Sequence, residues 1–273
     1  MIYERAYAKI NLALEVMDSV DDYHMVNNLM VGISLYDELE FSKASSIYVE
    51  DDFLVDNICI KACKLFFNHF KIDGGVCIKI KKNIPIAAGL AGGSSDAASC
   101  LRGLNRLYNV NASNSELKEI AKLLGSDVAF FIDNQLALCT NRGEVINHID
   151  VEPFPMNVLL IKPMASLSTK LVYQNYVYDR ISKKDKIDNI IKGLKNKDIS
   201  LIKKNIFNDL ANTSLKLCQD LNDTFNILVS NGYKPLVSGS GPTLFLLDAS
   251  IADEQAIKKL LGSNHFIYLA KTI

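Results

Sequence analysis

The first sixteen residues alternate between apolar and polar side chains, which is the period of a β-strand. One face carries apolar residues from Ala8 to Val16, and the other face carries Tyr7, Lys9 and Asn11. A strand with one apolar face usually turns its polar face to water, so the alternation alone favours a solvated face. The strongly apolar neighbours of these residues leave a lined cleft as the alternative.

Apolar residues recur every three or four positions over residues 57–70 and 113–124, which predicts two amphipathic helices. A capping box, Ser113 to Glu116, begins the second helix, and Gly125 is expected to end it. The apolar face of that helix is formed by Leu117, Ile120, Ala121, Leu123 and Leu124. Alternating or apolar runs predict strands at about 29–33, 37–41 and 76–80.

Two prolines, Pro153 and Pro155, break both helix and strand and predict a domain boundary. The expected domains are residues 1–153 and 154–273. Beyond the boundary, the pattern predicts a strand over 157–162 and helical segments over 167–231. Strands at 236–237 and 243–247, a helix over 252–261 and a strand over 266–270 follow. This order suits a ferredoxin-like α+β sandwich with helices on one face of an antiparallel sheet.

Small residues are densest in residues 82–104, KNIPIAAGLAGGSSDAASCLRGL, between a predicted strand and a helical pattern. Such a loop suits a phosphate cradle, because glycines let backbone N–H groups approach an anion and the helix dipole favours its charge. The loop matches neither the Walker A pattern nor G-x-G-x-x-G. Taken alone, it is equally well explained as a tight strand-to-helix turn. A second glycine loop, SGSGP, covers residues 238–242.

The composition is that of an ordinary globular protein: 273 residues, 49% hydrophobic, 22% charged and a net charge of −1. This balance argues against a nucleic-acid-binding or membrane-surface protein. The first residues carry charges where a signal peptide needs an apolar run, so we expect a cytoplasmic protein. The six scattered cysteines are expected to be small buried residues in a reducing compartment.

A carboxylate, Asp127, follows Gly125 and Ser126 and precedes the apolar run VAFFI. It lies at the junction of two predicted elements, with partly apolar surroundings. Two interpretations stay open from these residues alone: a cap for the next element, or a positioned catalytic group.

Four elements occur in order: the strand with Lys9 and Asn11, the loop over residues 85–95, Gly125-Ser126-Asp127, and the loop over residues 238–242. This ordered set resembles the motifs of the GHMP small-molecule kinases, over almost the whole chain. The resemblance implies an α+β, two-domain fold, with a ribosomal-protein-S5-domain-2-like ATP domain followed by the ferredoxin-like domain. It also implies ATP and Mg²⁺ as cofactors, with no protein residue assigned to the metal.

The resemblance implies that Asp127 is the general base and that Lys9 keeps it ionised and stabilises charge on the reacting oxygens. Asn11 would bind substrate or phosphate beside them. The expected ATP-binding residues are Pro85, Ala87, Gly89, Leu90, Ala91, Gly92, Gly93, Ser94 and Ser95. Gly239, Ser240 and Gly241 would close the site near the transferred phosphate. With these roles, a lined cleft becomes the preferred interpretation of the first strand.

The segment Asp22-Tyr23-His24 resembles that of family members that phosphorylate the 2-hydroxyl of a cytidine-diphosphate-bearing alcohol in isoprenoid precursor biosynthesis. Tyr23 would stack on the base, His24 would hydrogen-bond its edge, and Tyr173 would cover its other face. Asp22 and Asn141 replace glycines that are usual in the family, but both residue types tolerate positive φ.

The leading hypothesis is therefore a kinase whose partner is this small molecule, acting as a monomer or weak homodimer without nucleic acid or membrane. A kinase for another small alcohol, such as homoserine or mevalonate, is the second hypothesis. A non-catalytic ligand sensor on the same fold is the third, although a sensor need not keep both Lys9 and Asp127.

Overall fold

The computed structural model describes residues 1–20, 23–50 and 57–273. The strands are β1 (Ile2–Val20), β2 (Tyr23–Ala44), β3 (Tyr48–Glu50), β4 (Gly75–Lys81), β5 (Ala137–Thr140), β6 (Val145–His148), β7 (Asn157–Pro163), β8 (Phe207–Asn208), β9 (Leu236–Val237), β10 (Leu244–Leu247) and β11 (His265–Lys271). The helices are α1 (Ile58–Phe70), α2 (Gly92–Leu107), α3 (Asn114–Lys122), α4 (Phe130–Asp133), α5 (Thr169–Gln174), α6 (Lys184–Lys195), α7 (Ile199–Asn205), α8 (Ala211–Leu217), α9 (Gln219–Ser230) and α10 (Ile251–Leu261).

The chain divides into two compact units, each built from several segments. The first unit contains Met1–Ala8, Leu35–Ile84 and Ala91–Gln135, and the second contains Lys9–Ser34, Pro85–Leu90 and Leu136–Ile273. The predicted domain boundary after residue 153 stays a prediction. Among the described residues, no helix is both long enough and apolar enough to cross a bilayer.

In the first unit, β4 pairs antiparallel with the second half of β2 and parallel with β3. Helices α1 and α2 pack together beside this sheet and bury its apolar face. The largest fully buried side chains of this core are Phe41, Phe66, Phe130 and Phe131. Aromatic rings of this size contribute most of the burial that holds such a core together.

In the second unit, β11, β7, β10 and β9 form an antiparallel sheet in that order. Its apolar face is covered by helices, and the core includes Leu159, Ile161, Leu221 and Leu244. This arrangement agrees with the strand and helix order predicted for the second half of the sequence. Elsewhere in the unit, β2 pairs with β5, β5 with β6, and β1 in parallel with β8.

The outer edge of β1 in the first unit is held by arginine side chains. Arg106 Nη1 donates to the carbonyl of Tyr3 (3.2 Å), and Arg102 Nη2 donates to the carbonyl of Arg5 (3.3 Å). Both arginines also pair with Glu4, at 3.1 and 2.6 Å. The carbonyls of this stretch therefore have side-chain donors, which satisfies their need for hydrogen bonds.

Several predicted elements are confirmed, and some differ in detail. Helix α1 begins after an Asn57 cap, and α3 begins with the predicted capping box at Ser113. The helix ends at Lys122, before the predicted stop, and Leu123 is 73% exposed, so its place on the apolar face was wrong. The buried face of α3 is formed by three of the predicted residues, namely Leu117, Ile120 and Ala121.

The two strands predicted at 29–33 and 37–41 are parts of one strand, β2. The strand continues through both because Ser34, between them, accepts a hydrogen bond from Lys271 N, and Asp37, the first residue of the second predicted strand, is buried and bonded. None of the six cysteines forms a disulfide bond; five are buried as predicted, and Cys77 is half-buried.

Candidate active site

Lys9 and Asn11 lie side by side on β1, and both are buried, at 3% and 1% exposure. Lys9 Nζ donates to Asn11 Oδ1 (2.8 Å), and Asn11 Nδ2 donates to Asn28 Oδ1 on β2 (2.6 Å). The solvated face favoured by the alternation alone is therefore wrong for these two residues. Their polar atoms are satisfied by one another instead of by water, as buried polar groups require.

The first part of the predicted phosphate loop is fixed to Lys9 through Gly89. Lys9 Nζ donates to the Gly89 carbonyl (3.1 Å), and the Lys9 backbone N–H donates to the Leu90 carbonyl (3.2 Å). Ser238 Oγ, from the second glycine loop, donates to the same Gly89 carbonyl (3.1 Å). The predicted glycine loops and Lys9 thus meet at one carbonyl group of the second unit.

Only glycine fits at position 89. Its φ is +74°, and a Cβ atom there would lie 2.2 Å from the Ser238 carbonyl oxygen. The left-handed conformation and the close approach of two backbones both demand a residue without a side chain. The glycine singled out from the sequence is therefore explained by a specific contact.

The second glycine loop is held by buried side chains. Asn208 Nδ2 donates to the carbonyls of Val237 and Gly239, both at 2.7 Å. Ser214 Oγ donates to the Ser240 carbonyl (3.1 Å), and Gly241 N donates to the Ser238 carbonyl (2.8 Å). The loop is pre-organised, so a bound phosphate would meet a fixed backbone.

The later part of the phosphate loop leads into α2. Ala91 is the N-cap residue in a left-handed conformation (φ +55°), and no side chain caps the helix. An uncapped first turn offers backbone N–H groups and the positive end of the helix dipole to an anion. Gly92 begins the helix, and Ser95 N donates to the Ala91 carbonyl (3.0 Å). This geometry is compatible with a phosphate cradle, and the ATP-binding role of the loop stays a prediction.

Asp127 lies in a tight turn between α3 and α4, closed by a hydrogen bond from Val128 N to the Gly125 carbonyl (3.2 Å). Its side chain is half-buried, and the fully buried Phe130 and Phe131 follow. The turn belongs to the first unit and Lys9 to the second. The pairing of Asp127 with Lys9 therefore stays a prediction.

Aromatic residues surround His24 in the second unit. Its ring centroid lies 5.9 Å from that of Tyr173 and 5.8 Å from that of Tyr176. His24 Nδ1 lies 3.2 Å from the Met17 carbonyl, so a proton on Nδ1 would be donated there and leave Nε2 as an acceptor. The predicted residues His24 and Tyr173 are thus brought together.

Tyr23 is 59% exposed, and the guanidinium carbon of Arg142 lies 4.4 Å from the centre of its ring. The preceding residue of the motif, Asp22, lies outside the described residues. Asn141, which replaces a glycine usual in the family, adopts φ +60° and accepts a hydrogen bond from Val26 N (2.7 Å). The turn that carries Arg142 is therefore bonded to the strand that carries Tyr23.

Comparison with known proteins identifies the family. The model of the GHMP kinases N terminal domain matches residues 57–135, and that of the GHMP kinases C terminal domain matches residues 190–266. The 4-diphosphocytidyl-2-C-methyl-D-erythritol kinase of Clostridium perfringens is 38% identical over 284 residues, covering 98% of this chain and 97% of its own. That of Clostridioides difficile is 38% identical over 269 residues, covering 93% and 91%.

The chain belongs to the GHMP kinase family. A crystal structure of 4-(cytidine 5'-diphospho)-2C-methyl-D-erythritol kinase superposes with a TM-score of 0.81 and 26% identity, covering 99% of each chain. A homoserine kinase from Cytophaga hutchinsonii, at 18% identity and a TM-score of 0.75, shares the fold and covers 100% of this chain and 94% of its own. The two-domain GHMP kinase fold predicted from the motifs is confirmed.

Three residues that contact predicted site residues were not identified from the sequence: Asn28, Arg142 and Tyr176. Asn28 directly precedes the strand predicted over residues 29–33, but nothing in the local pattern links it to Asn11. Arg142 follows Asn141 in the same turn, and the sequence gives a reason for Asn141, which replaces a usual glycine, but none for Arg142. Tyr176 lies one turn beyond Tyr173, and that spacing was a usable signal.

Proposed function

We propose that this GHMP kinase transfers the γ-phosphoryl group of ATP to the 2-hydroxyl of 4-diphosphocytidyl-2-C-methyl-D-erythritol. The products are the 2-phosphate and ADP, in the non-mevalonate synthesis of isoprenoid precursors. The observation that carries the proposal is the contact between the rings of His24 and Tyr173, which offers a stacking surface and a hydrogen-bonding edge to a base. The names of the relatives, which the chain matches over nearly their whole length, agree with this substrate.

Residues Pro85 to Ser95 would hold the ATP phosphates, with backbone N–H groups at the start of α2 as donors. Mg²⁺ would be carried mainly by phosphate oxygens and water, and when bound it would neutralise phosphate charge. Among the described residues, no group of three or more His, Cys, Asp or Glu side chains could hold a metal ion.

In the transfer, the substrate oxygen forms a bond to the γ-phosphorus while the bond to the bridging oxygen of ADP breaks. Asp127 accepts the hydroxyl proton. Lys9, oriented by Asn11 and the Gly89 carbonyl, places its ammonium beside the charge that develops on the reacting oxygens. Gly239 to Gly241 supply a fixed backbone at the transferred phosphate, and Asn11 orients the Lys9 side chain by accepting its hydrogen bond.

At the nucleoside end, Tyr23 and Tyr173 would stack on the cytosine and His24 would bond its polar edge. We expect a monomer or weak homodimer acting on this small molecule in the cytoplasm.

The test is phosphate transfer measured side by side with the cytidylyl alcohol, homoserine and mevalonate at equal concentrations. ATP consumption with the cytidylyl alcohol alone is the expected result. Turnover only with an alcohol that lacks cytidine would overturn the substrate assignment. Binding of the cytidylyl alcohol and ATP without any transfer would instead identify a ligand sensor on this fold.

A further inference from the structure

Three charged residues of the first unit form a buried cluster. One precedes the phosphate loop in the chain, one follows it, and the third comes from a neighbouring strand. Lys82 follows β4, Asp37 lies on β2, and Asp96 lies in α2. Asp37 is fully buried and Asp96 is 4% exposed. Lys82 Nζ pairs with Asp37 Oδ2 and, at 2.5 Å, with Asp96 Oδ2. The ammonium therefore bridges two carboxylates that come from different elements.

The cluster fixes the points where the loop leaves β4 and enters α2. Asp37 Oδ1 accepts hydrogen bonds from the backbone N–H groups of Asn83 (2.6 Å) and Ile84 (2.8 Å). Lys82 then connects this start of the loop to Asp96, directly after Ser95. Breaking these contacts would release both ends of the segment that we propose to hold the phosphates.

The cluster contains two carboxylates but one ammonium, and one oxygen of Asp96 lacks a partner. Asp96 Oδ1 is buried and makes no hydrogen bond, which disfavours the charged form of this side chain. Burial raises the pKa of Asp96 to about 7, against the attraction of Lys82 and with the repulsion of Asp37. Asp96 is the fifth residue of α2, about 6 Å along the axis from its first residue.

Among the described residues, Asp96 also interacts with a thiol of the neighbouring helix. Cys59 of α1 interacts with it electrostatically, and Cys59 is hydrogen-bonded to Cys100 of α2. That hydrogen bond lowers the pKa of Cys59, but burial and the charge of Asp96 outweigh it, so the pKa is raised. Burial raises the pKa of Cys100 well above its usual value. With their pKa values raised, both thiols are neutral near pH 7 and add no charge beside Asp96.

We propose that Asp37, Lys82 and Asp96 are positioning residues of the phosphate loop, and that the charge of Asp96 sets the affinity of the loop for nucleotide phosphates. The inference rests on the proposed ATP site. A negative charge one turn behind the anion-binding end of α2 opposes phosphate binding, and a protonated Asp96 does not. Nucleotide binding near neutral pH should therefore draw a proton onto Asp96.

The direction and size of the effect follow from electrostatics. Nucleotide affinity should fall as the pH rises through about 7. One charge at about 6 to 8 Å from another, at an effective dielectric constant between those of protein and water, changes the affinity about three- to tenfold.

The experiment is calorimetric titration of the full-length protein with Mg-ATP between pH 6 and 8.5, in two buffers with different ionisation enthalpies. Wild type is compared with Asp96→Asn, which keeps the acceptor for Lys82 but cannot ionise. The matched control is Glu38→Gln, because Glu38 and Lys81 form an exposed ion pair one residue from Asp37 and Lys82.

For wild type and Glu38→Gln, we expect proton uptake on binding and an affinity that falls three- to tenfold across this range. Asp96→Asn should bind Mg-ATP tightly at pH 8 and show no additional proton uptake beyond that of the nucleotide itself. Identical pH profiles for wild type and Asp96→Asn would overturn the inference. No binding of Mg-ATP by wild type at any pH would instead overturn the proposed function.

Two further measurements separate positioning from a general structural role. The KM for ATP should rise with pH in wild type and stay constant with pH in Asp96→Asn, while the KM for the alcohol should be the same in both proteins at each pH. If both KM values shift together at every pH, the cluster only supports the fold. Should Asp96→Asn fail to fold, wild type alone gives the answer, because absence of proton uptake near pH 7 would contradict the inference.

Discussion

Replacing Gly89 with alanine tests whether the meeting of Lys9, Gly89 and Ser238 organises the site. The new Cβ atom would lie 2.2 Å from the Ser238 carbonyl oxygen and 2.9 Å from that of Gly241. Carbon and oxygen atoms that are not bonded need about 3.2 Å or more, so the two glycine loops must separate by roughly 1 Å. The Gly89 carbonyl would then lose its position against Lys9 Nζ and Ser238 Oγ.

The expected loss of stability has two parts. The left-handed φ of +74° costs alanine about 1–2 kcal/mol, and the backbone overlap adds about 1–3 kcal/mol. Activity should fall further than stability alone explains, since a displacement of about 1 Å at a reacting centre costs about 100-fold in rate.

Gly232→Ala is the matched control, because Gly232 has a φ of +84° and no atom within 4 Å of the Cβ position. It should lose only the conformational part, about 1–2 kcal/mol, and keep wild-type turnover. The assays are urea unfolding and initial rates of ATP consumption. Equal stability losses in the two variants, with full activity in Gly89→Ala, would refute the reasoning.

Three further predictions address the base, the nucleoside end and the buried cluster. Asp127→Asn should lower kcat by about two to four orders of magnitude and leave ATP binding near normal. Ser126→Ala, the control, should keep its kcat. Only a mild loss in Asp127→Asn would show that positioning and charge carry the catalysis. Tyr23→Ala and Arg142→Ala should mainly raise KM for the alcohol, and an unchanged KM would place the cytidine site elsewhere. The pKa of Asp96 rises from an ordinary 3.8 in the unfolded chain to about 7 on folding. The protonated side chain therefore favours the folded state, and this contribution to the unfolding free energy is complete below about pH 4 and lost as the pH rises through 7. The unfolding free energy of wild type relative to Asp96→Asn should fall by up to roughly 4 kcal/mol over that range in urea titrations, and a flat difference would contradict the assignment.

Local patterns predicted what depends on local chemistry. The capping box at Ser113, the glycine loop before α2 and the succession of strands and helices in the second half are read from neighbouring residues. The sequence predicts that Gly89 and Gly239 belong to glycine loops, and the fold supplies the close contacts that require glycine there.

Contacts between distant residues could not be predicted in the same way. Alternation places Lys9 and Asn11 on one face of β1, but it does not report that Asn28 and the Gly89 carbonyl replace water there. The Asp37–Lys82–Asp96 cluster joins three elements, and no periodicity records such a meeting. The strands β5 and β6 were missed because each is four residues long, too short to establish a period.

The arginine contacts along the edge of β1 bear on how copies of this protein behave at high concentration. An open strand edge is a template on which another chain can add a strand, and charged side chains discourage this. Here the carbonyls of Tyr3 and Arg5 already accept from Arg106 and Arg102, and Glu4 forms an ion pair with each arginine. Strand addition at this stretch would have to break those bonds first, so self-association through this edge is disfavoured.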